Sequence, residues 1–231
     1  AAFTATATPE VRQDIIRRLD IPGASIVCTG FDRPNLHFAV QRTRDKDRSL
    51  LEFLRKHDKQ CGVIYCATRS KVESVTQQLQ RHGFKALRYH AGLTPEERRN
   101  NQNAFVGGLV PLIVATNAFG MGIDKADVRF VVHYNMPKDV ESYYQEVGRA
   151  GRDGLESECL LLYDKADIAV NTYLIGHDQP DLAWKAHEME LLQKMTFYCN
   201  TSGCLRRVLL EYFGEKAPAK CNHCGNCDAN K

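Results

Sequence analysis

Short continuous runs of apolar residues recur along this chain, separated by stretches where apolar positions return every three or four residues. Continuous runs suit strands buried on both faces, and the wider spacing suits helices with one buried stripe. The pattern predicts helices over Glu10–Leu19, Asp47–His57, Ser70–His82, Pro95–Phe105, Val140–Val147 and Lys165–Ile175. It predicts strands over Ala24–Thr29, Asn35–Gln41, Gly62–Cys66, Lys85–Tyr89, Leu109–Ala115, Val128–Tyr134 and Glu158–Tyr163. Strands alternating with helices imply an α/β fold with a doubly wound, mainly parallel sheet. After a linker at Gly176–Asp181, which carries Pro180, the pattern becomes helical over Leu182–Cys199 and Leu205–Phe213, then ends in a cysteine-rich tail.

Composition narrows this only a little. With 231 residues, 43% hydrophobic and 26% charged, the chain has a soluble globular make-up and enough length for a sizeable core. A net charge of +3 does not mark a polyanion binder, so any nucleic-acid contact must come from a local patch. No apolar run approaches the roughly 20 residues of a membrane span, and the first residues do not read as a secretory signal. No membrane partner is expected.

Eight of the nine cysteines fall into two groups. Cys28, Cys61, Cys66 and Cys159 lie in apolar, strand-like runs and read as buried thiols. Cys221-x-x-Cys224-x-x-Cys227 places three thiolates in a tight turn, and Cys204 can supply a fourth from the start of a helix. Four sulfur ligands suit a closed, tetrahedral, structural Zn²⁺. His223 and Cys199 compete as ligands, and an iron–sulfur cluster is the chemical alternative.

The densest chemistry lies in Gln145-Glu146-Val147-Gly148-Arg149-Ala150-Gly151-Arg152-Asp153-Gly154, with two arginines among three glycines. Arginine is permanently charged and planar and suits phosphate oxygens, while glycine lets backbone and ligand approach closely. In doubly wound sheets ligands gather at the carboxyl ends of strands. Ala67-Thr68-Arg69, His90-Ala91-Gly92 and Thr116-Asn117 fall there. Thr68 and Arg69 open a helix, where hydroxyl, amides and charge converge on one point.

These strings resemble the motifs of superfamily 2 helicases in the expected order. Phe3–Ala7 resembles motif III, Val63–Arg69 motif IV, and Tyr89–Leu93 the strand-facing motif after it. Ala115–Lys125 resembles motif V, and Gln145–Gly154 motif VI. The cysteine tail, with Leu205-Arg206-Arg207 and Tyr212-Phe213-Gly214-Glu215, is similar to the RecQ family of DNA helicases.

The resemblance implies a RecA-like second lobe over residues 21–176, preceded over 1–20 by the end of a first lobe and followed over 177–231 by a zinc module. It implies ATP-driven 3′-to-5′ translocation on DNA, with single strands and duplex junctions as partners, in a cytoplasmic, nucleoid-associated and bacterial setting. Arg152 is then the arginine finger on ATP, and Arg149 its neighbour on the phosphates or a link to motif III. Gln145 couples nucleotide to DNA, and Gly120, Gly122 and Asp124 sit at the nucleotide's edge. Thr68, Arg69, His90, Thr116 and Asn117 contact the DNA backbone, and Arg206 and Arg207 touch DNA, pair with first-lobe acids or face solvent. The sequence contains neither a G-x-x-x-x-G-K-[ST] phosphate loop nor an acidic Asp-Glu-x-His box. ATP and Mg²⁺ are therefore expected only with a first lobe upstream of Ala1, and the chain alone is expected not to hydrolyse ATP. The contrasting expectation is a non-catalytic, zinc-stapled module that binds DNA or a protein partner; an RNA helicase is a third.

Overall fold

The computed structural model describes residues 2–4, 6–120, 124–178 and 181–229. Six strands form one parallel sheet: β1 (Leu36–Arg42), β2 (Gly62–Tyr65), β3 (Ala86–Tyr89), β4 (Leu112–Ala115), β5 (Phe130–His133) and β6 (Ser157–Tyr163). Their spatial order is β1-β6-β5-β2-β4-β3. Side chains alternate between faces along each strand, which sorts the apolar runs into two cores. Val63, Tyr65, Ile113 and Val131 join one cluster, and Ile64, Cys66, Val114 and Val132 the other. In register, Tyr65 lies beside both Ala115 and His133, and Tyr89 beside Ala115. The carboxyl ends of the four central and distal strands are thus level, and the loops leaving them share one rim.

The helices start where the sequence offers side-chain caps. Thr8 caps α1 (Pro9–Arg18), Asp45 caps α2 (Lys46–Lys56), and Thr68 caps α3 (Arg69–Arg81). Thr94 and Glu97 form a reciprocal capping box on α4 (Pro95–Val106). Asp139 caps α5 (Val140–Val147). Leu50, Leu54, Val72, Val75 and Leu79 carry α2 and α3 onto one face of the sheet. The remaining helices are α6 (Ala166–Asp178), α7 (Leu182–Asn200), α8 (Leu205–Tyr212) and α9 (Gly225–Asp228). Tyr198, Cys204, Leu205 and Leu209 from α7 and α8 share a cluster with Leu36, Phe38 and Tyr143. The cysteine-bearing segment is therefore packed into the core of the lobe.

Three expectations change. Ala24–Thr29 forms no strand; Ile26 and Val27 are exposed, and so is Cys28, which was expected to be buried. The segment pairs with neither edge strand, β1 or β3, and a lone extended segment has no ladder partner; β1 instead carries a bridge from Phe38 to Cys224. Helix α6 continues through Gly176 to Asp178, beyond its expected end at Ile175. The rest of the expected linker, Gln179 and Pro180, lies outside the described residues. The short helix α9 was not foreseen. No described helix is long and apolar enough to cross a membrane.

Candidate functional site

Motif VI begins on α5 and ends in a loop whose backbone is gripped from below. The Arg33 guanidinium donates to the carbonyls of Ala150 and Gly151, both at 3.0 Å. Asn35 Nδ2 donates to the Gly151 carbonyl at 2.9 Å. Gly151 has φ +56°, and a Cβ there would lie 2.4 Å from Asn35 Nδ2, so the position requires glycine. No motif or spacing marks Arg33 and Asn35 as part of this site; they act through backbone carbonyls 115 to 118 residues away.

From this held loop both arginines reach toward motif V. Arg149 Nη1 donates to the Gly120 carbonyl at 2.7 Å, and Arg152 Nη1 pairs with Asp124 Oδ1 at 3.2 Å. A Cβ on Gly120 would sit 2.0 Å from Arg149 Nη2, so glycine makes room for the guanidinium. Among the described residues, Arg149 Nε is buried without a hydrogen-bond partner. Gly122 lies outside the described residues. Tyr65 supports the same corner from below, donating its hydroxyl to the Phe119 carbonyl at 2.9 Å; burial pushes this phenol's pKa up, so it stays a donor. Gln145 is exposed, and its Nε2 donates to Thr6 Oγ1 at 2.7 Å. The contact to the motif III segment is made by Gln145, whereas Arg149 turns to Gly120.

The other residues line the rim. Thr68 Oγ1 accepts from the Lys71 N–H at 3.2 Å and lies 3.1 Å from Ser70 Oγ. Arg69 is exposed, and its stem approaches Gly92. Thr116 is buried, whereas Asn117 is exposed. His90 is also buried: its Nε2 meets Glu73 Oε1 at 2.9 Å and its Nδ1 accepts from the Gly92 N–H at 3.1 Å. Both ring nitrogens are engaged inside the fold, so the ring orders the loop and leaves Arg69 and Asn117 as the outward-facing groups.

The four cysteines converge. Sγ atoms of Cys204, Cys221, Cys224 and Cys227 all lie within 4.8 Å of one another, with 4.0 Å between Cys221 and Cys227 and between Cys204 and Cys224. A tetrahedron with Zn–S bonds of about 2.3 Å has edges of about 3.8 Å, so the cage fits zinc. Backbone N–H groups of Arg207 and His223 point at the Cys204 and Cys221 sulfurs, as thiolates require. The competitors fall away: His223 Nε2 sits 3.0 Å from Glu156, and Cys199 is buried elsewhere, its carbonyl accepting from Arg42.

Arg206 has a different place from any expected. It is 6% exposed, pairs with Asp32 at 2.7 Å, and donates to the carbonyls of Arg33 and Leu36. Arg207 pairs along its own helix with Glu211.

Two family descriptions match successive parts of the chain: the helicase conserved C-terminal domain over residues 45–154 and RecQ zinc-binding over residues 165–228. The chain is 46% identical over 226 residues to the ATP-dependent DNA helicase RecQ of Bacillus subtilis, covering 98% of this chain and 38% of that protein. It is 41% identical to the RecQ of Pasteurella multocida, covering 98% and 36%. It is 40% identical to the mouse bifunctional 3′-5′ exonuclease/ATP-dependent helicase WRN, covering 95% and 16%. Among solved structures, S. cerevisiae Dbp5 bound to RNA and ADP BeF3 superposes with a TM-score of 0.63 at 21% identity, over 84% of this chain and 54% of that one. That likeness shows the fold alone. With the helicase C-terminal domain running directly into a four-cysteine cage, this chain belongs to the RecQ family.

Proposed function

We propose that this chain is the second lobe and zinc module of an ATP-driven DNA helicase, supplying the arginines of the nucleotide site and half of the grip on the translocating strand. The observation that carries this is the pair of contacts from one motif to the other, Arg149 to Gly120 and Arg152 to Asp124. Phosphoryl transfer needs charge placed at the γ-phosphate more than covalent chemistry. A loop clamped by Arg33 and Asn35, with its guanidiniums fixed toward a neighbouring loop, is preorganised for that task.

In this reading Arg152 is the finger, exchanging Asp124 for the γ-phosphate when a phosphate-loop lobe closes on it. Arg149 holds motif V in place. Gln145, through Thr6, links the arginine loop to the segment that joins the lobes. Arg69 and Asn117, with Thr68 at the start of α3, hold strand phosphates without reading sequence, while buried Thr116 and His90 order the loops beneath them, so the grip weakens as salt rises. Zinc, held by the four cysteines, supplies no step of the reaction and braces α8 against β1. Single strands and duplex junctions as partners and a cytoplasmic, bacterial, nucleoid-associated setting belong to the same proposal.

The test is DNA-stimulated ATP hydrolysis by the whole protein, wild type against Arg152→Ala, with nucleotide binding followed in parallel. A loss of about 10³-fold or more in turnover with binding retained is expected for a finger. Unchanged turnover overturns the assignment. Equal unwinding of RNA and DNA duplexes would replace the DNA reading with a broader one.

A further inference from the structure

The end of β2 is held in an unusual way. In a parallel ladder continued past the Tyr65–His133 pair, the Ala67 N–H would meet the Tyr134 carbonyl. That carbonyl is instead taken by Lys46 Nζ at 2.9 Å. The Ala67 N–H donates to the side chain of Asn135, at 3.2 Å from Oδ1. Asn135 Nδ2 in turn donates to Asp167 Oδ1 at 3.0 Å.

Asp167 is 3% exposed and accepts from four donors: Lys46 Nζ at 2.6 Å, Asn135 Nδ2, the Met136 N–H at 3.2 Å and the Asp164 N–H at 3.3 Å. A carboxylate paired with an ammonium has no proton to give. The Asn135 amide therefore turns its NH₂ toward Asp167, which leaves Oδ1 for Ala67 and fixes the orientation of the amide. Lys46 and Asp47 open α2, and Asp47 also accepts from the Tyr134 hydroxyl at 2.7 Å. Lys71, in the first turn of α3, lies 5.5 Å from the centre of the Tyr134 ring. One buried polar chain thus runs from the starts of α2 and α6 to the residue preceding Thr68.

We infer that Lys46, Asp167 and Asn135 form a positioning relay that sets the Ala67–Thr68–Arg69 corner, and with it the lobe's grip on a single strand. None of the three need touch the strand. They fix where the N-terminus of α3 points, and buried networks of this kind hold one geometry because a half-satisfied member is costly. The relay rests on the strand-gripping role proposed above.

The experiment measures binding of a fluorescent oligothymidylate to the full 231-residue chain, wild type, Asn135→Ala, Asp167→Asn and Arg69→Ala, with hydrogen exchange at the Ala67 amide. Asn135→Ala should speed Ala67 exchange and weaken binding by about 3- to 10-fold, the worth of one lost net hydrogen bond. Its melting temperature should fall modestly while the chain stays folded, because the Ala67 N–H and Asp167 Oδ1 each lose one partner. Asn135→Gln, with one more methylene, should not restore binding. Wild-type binding that Arg69→Ala weakens, with Asn135→Ala unchanged in both exchange and affinity, overturns the relay and keeps the grip. Weakened binding with Ala67 exchange unchanged also overturns it, since Asn135 would then act by direct contact. Absence of strand binding by a folded wild-type chain overturns the grip itself. Asp167→Asn covers the case in which the alanine variant misfolds: it keeps the volume but swaps one acceptor oxygen for an NH₂ that faces a donor, so it too should speed Ala67 exchange and weaken binding, and wild-type values for both would overturn the relay.

Discussion

Arg149 donates to the main-chain oxygen of Gly120 at 2.7 Å, and nothing larger than glycine fits there, because a Cβ would fall 2.0 Å from the guanidinium. The atom in the way is the far end of a flexible side chain. Gly120→Ala should therefore push Arg149 out of position at a cost to stability of about 1 kcal/mol, the net worth of the lost contact to the Gly120 carbonyl. Arg149→Ala removes the same contact from the other side. In DNA-stimulated ATP hydrolysis by the whole protein, each variant should lose turnover, and the double variant should lose little more than either alone. A coupling of about 0.5–3 kcal/mol is expected in that cycle, and full additivity would show that the two residues act separately.

The zinc cage shares its hydrophobic cluster with β1, since Cys204 and Cys224 pack with Leu36 and Phe38. Apparent binding energies of structural zinc, about 10–16 kcal/mol, match or exceed the whole stability of a typical domain. Metal analysis should give one zinc per chain, in a colourless protein. Chelation should lower the melting temperature sharply and raise exchange in β1 as well as in α8. Cys224→Ser should reproduce this at full zinc. A chelated chain that melts as before would show that packing alone holds the module.

Arg206 is a clip rather than a ligand contact. Its guanidinium spans Asp32, the Arg33 and Leu36 carbonyls, and the face of Phe38 at 5.3 Å. Arg206→Ala leaves buried carbonyls without donors, at a cost on the order of 3 kcal/mol. Arg206→Lys should recover little of it, because one ammonium cannot span acceptors set out for a planar fork. Urea unfolding checks both, and a lysine variant as stable as wild type would reduce the clip to a simple charge pair.

His57 and Glu158 form a pair whose stability has a defined pH window. A hydrogen bond donated by the His57 ring to the Glu158 carboxylate raises the His57 pKa above 6.5, and the same bond holds Glu158 below 4.5. The raised imidazole contributes fully below pH 6.5 and loses its contribution as pH climbs through the folded value. The lowered carboxylate contributes above 4.5 and fades as pH drops through its folded value. The pair should therefore help most between these limits. Comparing melting of wild type and Glu158→Gln across pH should show a gap at pH 5.5 that closes toward pH 9. A gap independent of pH would mean that Glu158 acts through packing or a neutral hydrogen bond and not through the charge pair.

The sequence by itself determined the alternating α/β order, the mainly parallel sheet, the helix start at Thr68 and Arg69, the four-cysteine spacing and the arginine loop. Each is a local property: apolar runs, cap residues and ligand spacings act within a few residues of chain. Tertiary structure alone decided the rest. Ala24–Thr29 has the composition of a strand, but a strand is half of a hydrogen-bonded pair, and the segment pairs with neither edge strand, β1 or β3. His90 reads as a strand-end ligand until Glu73, seventeen residues away, is seen to hold its ring. Arg33, Asn35, Asn135 and Asp167 carry no motif, and Arg206 lies in one that does not tell its role, because each works through main-chain groups or buried partners that only folding brings near. Hydrogen bonds to backbone carbonyls depend on where the chain passes and leave no mark on the residue type of the partner. The chemistry of the site was therefore written in the motifs, and its support was set by the packing of distant segments.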